Sequence, residues 1–294
     1  MDSCSLFNIK GKNVLVTGGN LNPHQKLFIH VSLLKSRKIH TGAKGIGRMI
    51  TQGYAESGAN VFITGRDAKA CDSVVAELQP VVAKAGGSIF AIPANLQSYQ
   101  ECERLVAELG TAIDRAGRAK GLHVLVNNAG AVWGADIDSY PDHAWDKVLT
   151  LDLQRVFTLS QKALPLLEQA ATADDPARLI HIGSIDGIRT PATANFAYSA
   201  AKAGLHQLSR HLARDLGPRF VTSNVIACGP FPSHMMKATL EAAGDYIKSE
   251  VPLRRVGKPE DAAGACIYLS SKAGAFCNGA TIRVDGGASQ VAKI

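Results

Sequence analysis

Asn13-Val14-Leu15-Val16-Thr17-Gly18-Gly19 and, beyond a 23-residue segment, Ala43-Lys44-Gly45-Ile46-Gly47 together decide how this chain folds. The first five residues are a short, β-branched, almost continuously apolar run, as a strand buried on both faces requires. With residues 20–42 set aside, that run passes directly into Thr17-Gly18-Gly19-Ala43-Lys44-Gly45-Ile46-Gly47, a TGxxxGIG turn, and then into an amphipathic stretch over 48–57. A strand, a tight glycine turn and a helix form a phosphate cradle. Glycines let the backbone approach the anion, and the helix start supplies free N–H groups and the positive end of its dipole.

Working outward, six further apolar runs read as strands: Asn60–Thr64, 88–92, 123–127, 178–182, 222–227 and 280–284. Amphipathic stretches at Ala68–Ala85, 100–116, 144–170, 198–216 and 260–270 read as helices, with Pro165 expected to bend or end one of them early. Strands alternating with helices predict an α/β fold: a single doubly wound Rossmann domain over residues 1–294, with a parallel sheet of about seven strands and helices on both faces. Right-handed crossovers then bring the carboxyl ends of the strands to one edge, where ligands bind.

Composition narrows the function. The 294 residues are 46% apolar and 19% charged, long enough for one large core and unlike a disordered chain. No apolar run reaches the roughly 18 residues of a membrane span, and Met1 to Lys10 has no apolar core of a secretory signal, so a cytoplasmic protein is expected. The net charge of +7 owes four cations to the acid-free segment 20–42; without Lys26, Lys35, Arg37 and Lys38 it is 28 − 25, or +3, with no basic stripe for nucleic acid. The six cysteines form no CxxC pair, and His24, His30 and His40 lack ligand partners at suitable spacing, so no metal site and no disulfide framework are expected.

Tyr198 and Lys202 carry the chemistry. At i and i+4 on one helix they project from a common face. A tyrosine ionises near pH 10, and a neighbouring ammonium is expected to favour the phenolate and lower that value. Tyr198 could then protonate a reduced carbonyl oxygen or deprotonate an alcohol. Ser184, at a strand end, could hydrogen-bond the same oxygen. Gly183 directly precedes Ser184 and no GxSxG elbow surrounds it, which argues against a hydrolase.

With these residues stand Asn127-Asn128-Ala129-Gly130, Tyr198-Ser199-Ala200-Ala201-Lys202, Arg255-x-Gly257-x-Pro259-Glu260-Asp261 and Val284-Asp285-Gly286-Gly287. The set resembles the short-chain dehydrogenase/reductase family along the whole chain apart from the insertion. Within that family, 183–189 and 224–232 look most like 3-oxoacyl reductases of the rhamnolipid-biosynthesis type. The resemblance implies reduction of a carbonyl to a secondary alcohol, with catalytic Ser184, Tyr198, Lys202 and Asp152. It implies cofactor contacts at Gly18, Lys44, Gly45, Ile46, Gly47, Arg66, Asn95, Leu96, Asn128, Ala129, Gly130, Tyr198, Lys202, Pro230 and Phe231. It also implies an apolar, mobile substrate lid over 231–251, containing Met235, Met236 and Leu240, and a homotetramer or homodimer. The substrate would be a 3-oxoacyl thioester or similar hydrophobic ketone, with a polyketide, steroid or sugar as alternatives.

Three positions depart from the family pattern. Asp152 stands where an Asn usually holds a relay water, and an ionised carboxylate cannot donate a hydrogen bond. Asn95 stands for Asp, and Cys228-Gly229-Pro230 for Pro-Gly. Cofactor choice follows from Arg66, 19 residues beyond Gly47 where an acid would read a ribose 2′-hydroxyl. Its planar fork, with Lys44 in the turn, suits a 2′-phosphate and so NADP(H); Asp67 keeps an NAD reading open.

The segment 20–42 is long for a βα loop. Its 23 codons are 69 nucleotides, its Gly-Asn and Thr-Gly junctions can encode GGTAA and ACAGG, and removing it restores the turn with no residue missing, so it reads as a translated intron. The competing reading is a genuine loop. Retained in the protein, it interrupts the phosphate turn between Gly19 and Ala43, weakens NADPH binding and leaves a catalytically silent or cofactor-sensing family member.

Overall fold

The computed structural model describes residues 2–18, 45–233 and 237–290. Seven parallel strands form one sheet in the order β3-β2-β1-β4-β5-β6-β7: β1 (Asn13–Thr17), β2 (Asn60–Thr64), β3 (Ser88–Ala91), β4 (Val124–Asn127), β5 (Ala177–Ser184), β6 (Val221–Cys228) and β7 (Thr281–Val284). The order reverses between β1 and β4, which opens a crevice at their carboxyl ends.

Alternation along each strand explains the two cores. Val14 and Val16 of β1, Val61 and Ile63 of β2, Val124 and Val126 of β4 face one layer, built from α2 (Ile46–Glu56), α3 (Ala68–Ala85) and α9 (Pro259–Ser270). Leu15, Phe62, Leu125 and Leu179 face the other, built from α4 (Tyr99–Ala116), α6 (Arg155–Ala170) and α7 (Phe196–Leu216). Both faces of β1 and β2 are therefore buried, which is why their sequences read as unbroken apolar runs. A short α1 (Ser3–Leu6) precedes the sheet, and α5 (His143–Leu149) and α8 (Lys237–Glu250) complete the helices among the described residues.

Two expectations about the helices are corrected. The stretch 144–170 is helical throughout, as expected, but not α-helical throughout: α5 ends at Leu149, a π-helical turn spans Thr150–Gln154, and α6 follows without a break. Pro165 neither ends nor shortens α6, which runs on to Ala170. Packing overrides the missing N–H: Ala163 and Leu167 are buried on either side of it, and the Leu166 carbonyl accepts the Leu122 amide at 2.7 Å. The segment expected to be a mobile lid contains a 14-residue helix, α8; Met235 and Met236 lie outside the described residues, as do Lys44 and the whole of 20–42.

Candidate active site

The turn that opens the chain is set by steric limits. Gly18 follows β1 with φ of +65°, a conformation unfavourable for a side chain, and its N–H donates to Thr64 O at 2.9 Å. A Cβ on Gly47 would overlap the Gly18 carbonyl oxygen and the Asn128 amide nitrogen. The start of α2 therefore lies directly on the end of β1. Gly45, its N-cap, supplies no side chain to the first N–H groups, which leaves them for an anion.

Asn128 and Thr17, the latter absent from the predicted site, strap the two central strand ends together. The Asn128 side-chain amide donates to Thr17 O at 2.8 Å, while the backbone N–H groups of Asn128 and Ala129 both donate to Thr17 Oγ1 at 2.9 Å. The threonine of the TGxxxGIG pattern was the available signal, since its hydroxyl oxygen has two lone pairs and can accept both amides.

Arg66 is exposed just beyond β2 and lines a cleft of about 540 Å³ with Gln97, Ala131, Lys147, Leu151 and Arg155. Asp67, the residue that kept an NAD reading open, accepts from the Ala70 N–H at 3.1 Å as the N-cap of α3. Asn95 is exposed beside buried Leu96, its side chain accepting from the Gln97 N–H. Pro230 borders a second cavity of about 200 Å³; the Phe231 ring, also on its wall, is only 2% exposed and packs on Gly257, so that side chain serves the core.

Ser184, Tyr198, Lys202 and Asp152 meet at the carboxyl end of β5. Ser184 is extended at the strand end, and its Oγ accepts from the Asp186 N–H at 3.1 Å, which caps the following turn. Lys202 Nζ lies 5.4 Å from the centre of the Tyr198 ring and donates to Ile182 O at 3.1 Å. It is also 3.2 Å from Asp152 Oδ2. Asp152 has no exposed surface, and its Oδ1 accepts from the Ala131 N–H at 2.7 Å. The π-helical turn aims this carboxylate inward from between α5 and α6.

One expectation about this cluster is reversed. Burial pushes the Tyr198 phenol above its ordinary pKa; Lys202 and a hydrogen bond with Ser184 oppose this, while Asp152 and Asp186 reinforce it. Lys202 does pull the phenol down, as expected, but burial outweighs it and Asp152 adds to the rise. Burial alone would lower Lys202, but Asp152, and then Tyr198, raise it, so it stays charged. Burial likewise raises Asp152, against the pull of Lys202.

Around these groups lie neutral neighbours that sequence reasoning passed over. His181 is held down to about 3 and His206 to about 4, both by burial and then by Lys202. Cys228 is pushed up to about 12 by burial. Beside Tyr198, Trp133, Tyr140, Trp145 and Leu149 pack on Ala131, Val148, Ala197 and Ala201 as an apolar wall. Tyr140 stacks edge-on against Phe196 and Trp145, and its hydroxyl donates to Trp133 O at 3.3 Å.

A Rossmann sheet whose β5 edge carries Ser184 beside Tyr198 and Lys202 defines a class of oxidoreductase, and the chain belongs to the short-chain dehydrogenase/reductase family. The matching family model, described as enoyl-(acyl carrier protein) reductase, covers residues 42–289. Among curated proteins, the chain is 44% identical over 248 residues to the rhamnolipids biosynthesis 3-oxoacyl-[acyl-carrier-protein] reductase of Pseudomonas aeruginosa, covering 84% of this chain and 93% of that protein. It is 32% identical over 259 residues to the 3-oxoacyl-[acyl-carrier-protein] reductase FabG of Staphylococcus aureus, covering 87% and 99%. Among solved structures, the Pseudomonas aeruginosa RhlG/NADP active-site complex superposes with a TM-score of 0.82 at 39% identity, over 97% of this chain and 99% of that one.

Proposed function

We propose that this protein is an NADPH-dependent reductase that converts the ketone of a 3-oxoacyl thioester, or a similar hydrophobic carbonyl, to a secondary alcohol. The observation that carries the reading is the meeting of Ser184, Tyr198 and Lys202 at the β5 edge, next to the glycine turn at the sheet's switch point. The described residues fit the cofactor. Gly47 lets the start of α2 lie against the end of β1, the α2 N-terminus carries no side-chain cap, and Arg66 faces a cleft while Asp67 is engaged at its helix. The NADP and acyl-carrier substrates named for the relatives point the same way.

When bound, the nicotinamide supplies the hydride. The α2 N-terminus would hold the pyrophosphate and Arg66 the 2′-phosphate. Ser184 Oγ and the Tyr198 hydroxyl hold the carbonyl oxygen, and their hydrogen bonds strengthen as negative charge develops on it. Tyr198 then gives its proton to that oxygen. Lys202, anchored on the Ile182 carbonyl, keeps a positive charge beneath the phenol. The wall of Trp133, Tyr140 and Phe196 gives an acyl chain an apolar surface and keeps water from the reacting carbon.

The reading extends to a cytoplasmic homotetramer or homodimer, a state common in the resembled family; no helix among the described residues is long and apolar enough to cross a membrane. The test is NADPH oxidation by the 294-residue chain with 3-oxoacyl thioesters of increasing chain length, beside steroid, polyketide and sugar carbonyls. Turnover that rises with acyl length supports the reading. Turnover confined to sugar carbonyls moves the substrate elsewhere, and no NADPH binding at all favours the silent family member.

A further inference from the structure

Buried charge around Tyr198 is unevenly distributed. From α7 the phenol faces Lys202. From the turn between α5 and α6 comes Asp152, and from the turn after β5 comes Asp186, whose Oδ2 accepts from Asn195 Nδ2 at 3.0 Å and which Arg189 offsets. The remaining titratable groups packed on this cluster, His181 of β5, His206 of α7, Cys228 of β6 and Tyr140 ahead of α5, are neutral at physiological pH. Among the described residues the phenol thus senses one cation and two carboxylates.

Asp152 is the closer partner of that cation. A buried ammonium needs a counter-ion. With Asp152 Oδ2 at 3.2 Å, Lys202 has one already, and the phenol need not become it. The pair also acts on Tyr198 as a dipole, whose field falls off faster than that of a lone ammonium. An amide at 152 could still accept the Ala131 N–H through its oxygen while removing the charge. Tyr198 would then be the nearest group able to become the counter-ion.

We propose that Asp152 is a positioning residue that acts through Lys202: by neutralising the ammonium it holds Tyr198 as the protonated phenol, the form that donates to a carbonyl, across neutral and mildly alkaline pH. The inference rests on the reductase reading of the site and assigns it a pH range. Carbonyl reduction draws on the phenol and alcohol oxidation on the phenolate, so Asp152 restrains the oxidative half-reaction near neutrality while leaving the overall equilibrium unchanged.

The experiment is a tyrosinate absorbance titration of the cofactor-free protein. Subtracting the Tyr198→Phe curve isolates Tyr198 from the other tyrosines. In the unsubstituted protein Tyr198 is expected to ionise above the ordinary tyrosine value of about 10. In Asp152→Asn its midpoint moves to lower pH, and the alkaline rise of NADP-dependent alcohol oxidation moves down with it. A purely structural role would change activity without moving either midpoint. Ionisation of Tyr198 in the unsubstituted protein below about pH 9, clearly under the free value, overturns the proposal, and needs no variant at 152 to fold. An Asp152→Asn midpoint that stays put or rises also overturns it. Failure of the reductase reading looks different: the unsubstituted protein would then oxidise no NADPH with any carbonyl, whatever the titrations give.

Discussion

Replacing Gly47 with alanine tests the phosphate turn through a single methyl group. The added Cβ overlaps the Gly18 carbonyl oxygen and the Asn128 amide nitrogen, so β1, α2 or Asn128 must move. Overpacking of a rigid contact costs roughly 1–3 kcal/mol. Displacing Asn128 also strains its 2.8 Å bond to Thr17 O, a hydrogen bond worth about 0.5–1.5 kcal/mol. Together these are about 2–4 kcal/mol, or a fall in Tm of roughly 3–7 °C for a domain of this size. Retreat of the α2 N-terminus also weakens charge-assisted bonds to a pyrophosphate, each worth about 1.5–3 kcal/mol, so NADPH affinity falls roughly 10- to 100-fold. Thermal denaturation and NADPH fluorescence titration read the two effects. Gly264→Ala is the control: nothing lies near its Cβ, it sits within α9, and it should raise Tm slightly. A Gly47→Ala protein within about 2 °C of the parent, with unchanged NADPH affinity, would refute the packing argument.

Three further outcomes follow from the same structure. Arg66→Ala should weaken NADPH by about 10- to 100-fold and leave NADH nearly unchanged, as titrations with both cofactors would show; equal losses for the two would remove Arg66 from the 2′-phosphate site. Burial holds His123 and His206 down to about 4 and His181 to about 3, against 6.5 for the free side chain. Their contribution to stability is complete above pH 6.5 and is lost as pH falls towards those values, by up to about 1.4 kcal/mol per group per pH unit, so the urea midpoint should be lower at pH 5 than at pH 7 and an equal or higher one contradicts this. Deleting residues 20–42 should raise NADPH affinity at least about tenfold by joining Gly19 to Ala43, while equal affinity of both chains would refute the interrupted-turn reading.

The strands were legible because burial on both faces leaves a simple trace. Asn13–Thr17 and Asn60–Thr64 were bounded correctly from apolar continuity alone, and Ala68–Ala85 ends at Gly86, which takes the left-handed cap conformation. Less legible were features decided by packing. The amphipathic pattern over 144–170 gives no sign of the π-helical turn that aims Asp152 at Lys202, because the buried positions 148, 152 and 156 keep a helical spacing across it. Pro165 misled because local propensity was outweighed by contacts from α4 and the sheet. The residue types at the site were readable from spacing, but the protonation of Tyr198 was not. It depends on burial and on a carboxylate 46 positions away from the tyrosine in sequence, 198 − 152, which only the fold brings near.

Steady-state reduction of a 3-oxoacyl thioester by Tyr198→Phe, with NADPH binding measured on the same preparation, tests the central claim most directly. Loss of the phenolic proton should lower kcat by about 10²- to 10⁴-fold with cofactor affinity retained. A variant that keeps kcat within a few-fold of the parent would mean that the proton comes from another group.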